Sequence, residues 1–182
     1  MYYMLQKCTT WNIAKVFFED PELEFSLAEI KRRTELAATS LLLHLKVLLN
    51  EGIIKRTKKQ AGKRSYPLYT ANQTGVKYKH YKKLSNLDSI ETSDLVEYIK
   101  NNCIPDCIVL FGSYARGEDN KKSDIDLYVQ SKEKSILMAK YEKILKRKIQ
   151  LHFKEDFDKY PKELKNNIIN GILLSGFLEA FK

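Results

Sequence analysis

Residues 107–129 constrain what this 182-residue chain can fold into more than any other stretch. The segment opens with the continuous apolar run Cys107-Ile108-Val109-Leu110-Phe111, which suits a buried strand. Gly112-Ser113 then turns the chain into a short helical stretch, and a polar, basic loop follows over residues 117–123. The segment closes on Asp124-Ile125-Asp126-Leu127-Tyr128-Val129, where polar and apolar residues alternate as in a half-buried strand. That alternation sets Asp124 and Asp126 on one face, with Cα atoms about 7 Å apart by strand rise.

Two carboxylates so placed can hold a hard cation, and Mg²⁺ prefers one or two protein carboxylates together with substrate phosphate oxygens. Gly112 lets the backbone approach a ligand closely. Ser113 offers a hydroxyl at a helix start whose free N–H groups favour an anion, and Arg116 lies one turn further on, where it can reach the same phosphates. By composition alone, Gly-Ser followed ten residues later by Asp-x-Asp arises in a chain of this length only about twice per thousand. A solvated acidic strand after a surface loop is therefore the weaker reading.

The run from Gly112-Ser113-Tyr114-Ala115-Arg116-Gly117-Glu118 to Ser123-Asp124-Ile125-Asp126-Leu127 resembles the minimal nucleotidyltransferases of the DNA polymerase β superfamily. The likeness extends over roughly residues 92–180. It implies an α/β (α+β) nucleotidyltransferase fold, a small mixed sheet with helices on one side. It also implies ATP as substrate, Mg²⁺ as cofactor, and a small helical partner protein of the kind such enzymes modify. Asp124 and Asp126 become the metal-binding catalytic pair, and Gly112, Ser113 and Arg116 the nucleotide-binding residues.

One position departs from the family pattern. A third carboxylate is expected on a later strand, after a helix predicted over Lys132–Arg147. The strand 148–153 carries Gln150 there, with His152 on the same face and Ile149, Leu151 and Phe153 directed to the core. Neutral Gln150 cannot act as a base, whereas His152 can, although a strand histidine is more often structural. Glu155 and Asp156 lie beyond the strand end and are poorer substitutes. The segment Gly171–Phe181 is expected to pack back onto the core.

The net charge of +9 falls entirely within residues 1–85, and residues 86–182 sum to zero. Such asymmetry points to a polyanionic partner for the first half, nucleic acid foremost. Helices are predicted over Thr10–Phe18, from Ser26 to about Arg33, and from Thr39 or Ser40 to Asn50, where Gly52 stops the chain. Two β-like runs, Ile53–Lys58 and Ser65–Thr70, flank a basic tip. The stretch Ala38–Ile54 in this order of elements resembles the winged helix-turn-helix family over about residues 10–80. That resemblance implies duplex DNA contacts from Thr39, Ser40 and Lys46 on the third helix. Lys55, Arg56, Lys58, Lys59, Lys63 and Arg64 would add phosphate contacts from the wing, which position a protein without reading sequence. The third helix is unusually apolar: Leu41, Leu45 and Leu48 fill its inner face. Leu42, Leu43 and Leu49 are left to pack on the wing or first helix, or to form a homodimer surface.

The polar stretch Lys82–Asp94 is expected to link a basic domain, residues 1–85, to a nucleotidyltransferase domain, residues 86–182. Thr92 or Ser93 should then cap a short helix through Asn101. Three cysteines cannot all pair, and Cys103-x3-Cys107 lacks the second pair of ligands that a zinc site needs. Buried structural cysteine is the better reading. Hydrophobic residues at 43% predict that the whole chain folds, and the lack of an apolar run near 18 residues excludes a helical membrane span. The N-terminus lacks the basic region and apolar stretch of a signal peptide, so a cytoplasmic location is expected. Two functions fit: a Mg²⁺-dependent adenylyl transferase tied to a DNA-binding domain, or a transcription regulator whose nucleotidyltransferase-like domain binds nucleotide without transferring it.

Overall fold

The computed structural model describes residues 8–61, 64–154, 157 and 160–179, the side chains of 61 and 64 excepted. The chain divides into two compact units, Met1–Ser85 and Asn86–Lys182.

In the first unit, helix α1 (Thr9–Glu19) buries Trp11, Ile13, Ala14, Val16, Phe17 and Phe18. A short strand β1 (Glu24–Ser26) leads into α2 (Leu27–Thr34). Ser26 and Glu29 form a reciprocal capping box: the Glu29 carboxylate accepts from the Ser26 backbone N–H at 2.7 Å, and the Ser26 hydroxyl accepts from the Glu29 N–H at 3.3 Å. Helix α3 (Ala38–Asn50) buries Leu41, Leu45 and Leu48. It begins at Ala38 rather than at the expected Thr39 or Ser40, and its N-cap residue, Ala37, makes no side-chain bond. Those residues lie inside the first turn, where their own backbone is already helical. At the other end Gly52 adopts φ +70°, and the N–H groups of Gly52 and Ile53 bond back to Leu49 and Leu48. That is a Schellman stop, which favours glycine.

Strands β2 (Ile54–Ala61) and β3 (Arg64–Ala71) pair antiparallel, and β1 adds to the other edge of β3 in the order β1-β3-β2. One hydrophobic cluster joins the three helices to Phe25, Ile53, Ile54, Tyr69 and Ala71.

Residues 76–92 form helix α4 (Val76–Thr92), where a linker was expected. The polar composition misled because Ser85, Asn86 and Asp88 are buried rather than solvated. Helix α5 (Leu95–Cys103) follows, with Asp94 as N-cap residue. The Ser93 hydroxyl still accepts the Leu95 N–H at 3.3 Å.

The second unit is built on a mixed sheet of order β6-β5-β4-β7. Strand β4 (Cys107–Phe111) lies between β5 (Ile125–Val129) and β7 (Ile172–Gly176), antiparallel to both, and β6 (Ile149–Phe153) runs parallel to β5. Strand alternation divides the core. Ile108, Leu110, Ile125, Leu127 and Val129 meet Leu95, Val96 and Ile99 of α5, together with Tyr141 of α7 (Ala139–Leu145). On the opposite face Val109, Phe111 and Tyr128 pack with Phe157 and with Ile168 of α8 (Lys162–Ile169). Helices therefore cover both faces, not one.

The helix expected over Lys132–Arg147 is reduced to α7. Ile136 and Met138 pack on the core while Leu137 between them is 82% exposed. That is the two-residue period of extended chain, not the 3.6 of a helix. Among the described residues no helix is long and apolar enough to cross a membrane.

Candidate active site

The site grows from the end of β4. Gly112 opens the five-residue helix α6 (Gly112–Arg116) with φ +75°, and a Cβ added there would sit 2.5 Å from Asp126 Oδ2. Only glycine lets the turn close this tightly over the carboxylate. Asp126 is paired with Phe111 across the antiparallel ladder and with Gln150 across the parallel one. Asp124 stands just before β5. Strand pairing thus gathers residues 111, 124, 126 and 150 at one end of the sheet.

Two side chains of β6 turn toward the carboxylates. The Gln150 amide donates to Asp124 Oδ2 at 2.5 Å, and His152 Nε2 lies 3.4 Å from Asp126 Oδ1. The His152 ring also packs on Phe111, with centroids 5.1 Å apart. Gln150 is therefore a neutral donor already in contact with Asp124. Arg116 is exposed and turned to Glu118, with Nε donating to the carboxylate at 2.9 Å.

The loop between the glycine turn and Asp124 is braced from beneath by residues that sequence reasoning missed. Asp119 is only 2% exposed. The Asn86 amide donates to Asp119 Oδ1 at 2.7 Å and to the Tyr114 carbonyl at 2.9 Å, and Arg147 Nη2 stands 3.8 Å from Asp119 Oδ2. A buried carboxylate requires such partners. They come from positions 28 to 33 residues away on each side, so no local pattern marks them. At the loop tip the Asn120 side chain accepts the Lys122 N–H at 2.9 Å and fixes the approach to Asp124.

Among the described residues no three His, Cys, Asp or Glu side chains gather as a ready-made metal site. Asp124 and Asp126 still fit one Mg²⁺, because that ion completes its shell with water and substrate oxygens. Glu155 and Asp156 fall outside the described residues. Cys107 is buried, its thiol pushed up to about 11 by burial and then by Asp106, and Cys103 is raised by burial as well. Both are free thiols, as is exposed Cys8.

In the first unit Thr39, Lys46, Lys55, Arg56, Lys58 and Lys59 are exposed and Ser40 is half-buried. Lys63 lies outside the described residues, and Arg64 is described only as the strand partner of Ala61. Leu49 packs on the core, while Leu42 and Leu43 remain exposed.

Residues 93–176 match the family model described as Polymerase beta, Nucleotidyltransferase, and the mixed sheet with its glycine turn closed over a strand-borne aspartate fits a nucleotidyltransferase fold. No curated protein and no solved structure matches the chain.

Proposed function

We propose that the second unit binds a nucleoside triphosphate with Mg²⁺ and transfers its nucleotidyl group, adenylyl from ATP, to an acceptor hydroxyl. The observation that carries this reading is the closure of Gly112 over Asp126, which leaves no room for a Cβ. It places bare backbone and a carboxylate together, as a metal-bridged phosphate requires. In the reaction the acceptor oxygen bonds to the α-phosphorus and the α–β bridging P–O bond breaks. Pyrophosphate leaves with the electron pair, and the hydroxyl proton passes to a base. Bound Mg²⁺ would supply charge stabilisation to the phosphates from Asp124 and Asp126. Ser113 donates to the triphosphate, and among the described residues His152 is the side chain in contact with the carboxylates that can take a proton.

The hydrogen bond from Gln150 to Asp124 favours a second reading, a nucleotide-binding regulator with little transfer. The first unit supplies the DNA-binding part on either reading: its helix order and basic β2 support a winged helix on duplex DNA.

Thermal melting tests the site. Mg²⁺ with ATP should raise the melting temperature, since a ligand of the native state stabilises it by mass action. The double substitution Asp124→Asn, Asp126→Asn should abolish the shift, and an unchanged shift would place the nucleotide elsewhere. Transfer of labelled nucleotide then separates the two readings. Gln150→Asp should raise transfer while ATP affinity changes less, because a carboxylate there acts on the chemical step. If neither the unaltered protein nor a folded Gln150→Asp variant labels any acceptor, the transferase reading is lost.

A further inference from the structure

Beside Asp124 the second unit opens a cleft of about 500 Å³ whose walls are unusually cationic. Lys121, Lys122, Lys143, Lys146, Arg147 and Lys148 line it, against only two acids, Asp124 and Glu142. Glu142 is already engaged, accepting the Ile149 N–H at 3.2 Å and standing 3.4 Å from Lys148 Nζ. Arg147 is the least exposed of these cations. Its side chain is only 9% exposed; Nη1 donates to the Lys146 carbonyl at 3.1 Å and Nη2 stands 3.8 Å from Asp119 Oδ2, while Nε has no hydrogen-bond partner among the described residues. A guanidinium donor so far out of water and still unmatched favours an anion at the cleft.

The cleft is not the seat of the triphosphate on the glycine turn. Gly112, Ser113 and Asp126 take no part in its walls, and Asp124 is the one carboxylate of the pair that does. Asp124 is also the carboxylate that Gln150 touches, and Lys148 immediately precedes β6. The cleft and the candidate site therefore share Asp124, so a group held by these cations lies next to the carboxylate pair. Its volume falls in the range that encloses a nucleotide-sized group.

We propose that this cleft binds a phosphate of the acceptor, so that the molecule modified carries a phosphate ester next to the hydroxyl that is modified. The proposal rests on the nucleotidyl-transfer reading of the adjoining site. It names the acceptor's chemistry, which the net charge of zero over residues 86–182 conceals.

The test uses the full chain saturated with Mg²⁺ and ATP, so that the triphosphate seat is filled. The probe is a fluorescent, 5′-phosphorylated tetraribonucleotide, too short to form a duplex, followed by anisotropy. Lys122 and Lys143 are exposed, so Lys122→Glu, Lys143→Glu should fold. This variant should weaken probe binding at least tenfold while the half-saturating ATP concentration changes less than threefold. Lys122→Gln, Lys143→Gln should give a smaller loss in the same direction. Lys58→Ala, Lys59→Ala should leave probe binding unchanged, which separates the cleft from the basic strand of the first unit. Displacement of the probe by ribose 5-phosphate identifies a small phosphorylated acceptor, and resistance to it identifies a strand end.

Three results overturn the proposal: probe affinity unchanged in both cleft variants; a fall in ATP affinity as large as that in probe affinity, which gives the cleft to the nucleotide's own terminal phosphates; or loss of probe binding in the Lys58, Lys59 variant. Loss of the ATP melting shift in the unaltered protein is a separate failure. It removes the transferase reading, and the cleft is then judged by the same probe and variants without ATP.

Discussion

The two units carry equal numbers of lysines and arginines, sixteen in residues 1–85 and sixteen in residues 86–182, yet deploy them differently. In the first, few acids accompany them, and the strand β2 holds Lys55, Arg56, Lys58 and Lys59 outward without an acidic residue among them. The unit carries a net positive charge of +9, a field suited to a long polyanion. In the second, acids match bases in number, but space sorts them. Six cations collect on the walls of one cleft, while Asp119 is buried against Asn86 and Asp126 is set under the glycine turn. Net charge thus describes the first unit and misdescribes the second, because a cleft focuses field that a sum averages away.

The comparison breaks most visibly through the basic β2–β3 ribbon. Lys58→Ala, Lys59→Ala, Lys63→Ala and Arg64→Ala together should weaken binding to every duplex sequence alike. The slope of log affinity against log salt should become shallower by roughly 3 to 4, as four phosphate contacts are lost. The same protein should keep its full ATP melting shift. Titration of duplex DNA at several salt concentrations checks the first statement, and duplex binding that ignores these four residues would return the first unit to the status of a protein-interaction module.

Two glycines sharpen the contrast at a smaller scale. Gly52 and Gly112 both hold positive φ, +70° and +75°. A Cβ at Gly52 would meet nothing closer than 3.9 Å, so Gly52→Ala should cost only the left-handed strain, about 1–2 kcal/mol. At Gly112 the same strain adds to a contact of 2.5 Å with Asp126 Oδ2. Gly112→Ala should therefore destabilise more than Gly52→Ala and abolish the ATP shift, whereas Gly52→Ala leaves that shift in place. Chemical denaturation with and without Mg²⁺ and ATP reads both effects, and equal costs would sink the close-approach account.

The smallest effect concerns the capping box of α2. Hydrogen bonds from the Ser26 side chain and then its backbone hold the Glu29 carboxyl below its ordinary value. A group whose folded pKa is lowered stabilises above its unfolded pKa, and that share is lost as pH falls through the lowered value. Ser26→Ala should lower the melting temperature by a few degrees near neutrality. The difference from the unaltered protein should shrink as the solution is acidified below the ordinary glutamate range. A difference independent of pH would show that Glu29 plays no part.

What the sequence made legible was local in cause. The turn at Gly112, the alternation of β5, the stop at Gly52 and the cap at Ser26 each depend on a few adjacent residues, and each is read from them. The helix at residues 76–92 was missed because its polar residues are satisfied by partners far along the chain, as Asn86 is by Tyr114 and Asp119. Strand β1, three residues long, has no pattern of its own and exists by pairing with β3. The extended stretch before α7 was taken for helix because Ile136 and Leu137 fit either period until burial separates them. Of the site, the glycine and aspartates were visible as spacing. The bonds from Gln150 and His152 and the cationic cleft needed the parallel pairing of β5 with β6 to bring them there.

The brace under the loop that leads to Asp124 bears on where this unit begins as an independent object. The family match starts at residue 93, yet Asn86 and Ile90 belong to the interior, one bonded to Asp119 and the other packed in the main cluster. A fragment cut at the family boundary would leave the Asp119 carboxylate without its amide donor and would open a void where Ile90 sat. Such a piece would have lost the support that sets the approach to Asp124. The smallest self-sufficient form of this unit thus reaches back into the helix at Val76–Thr92, and the border drawn by sequence similarity lies inside the border drawn by folding.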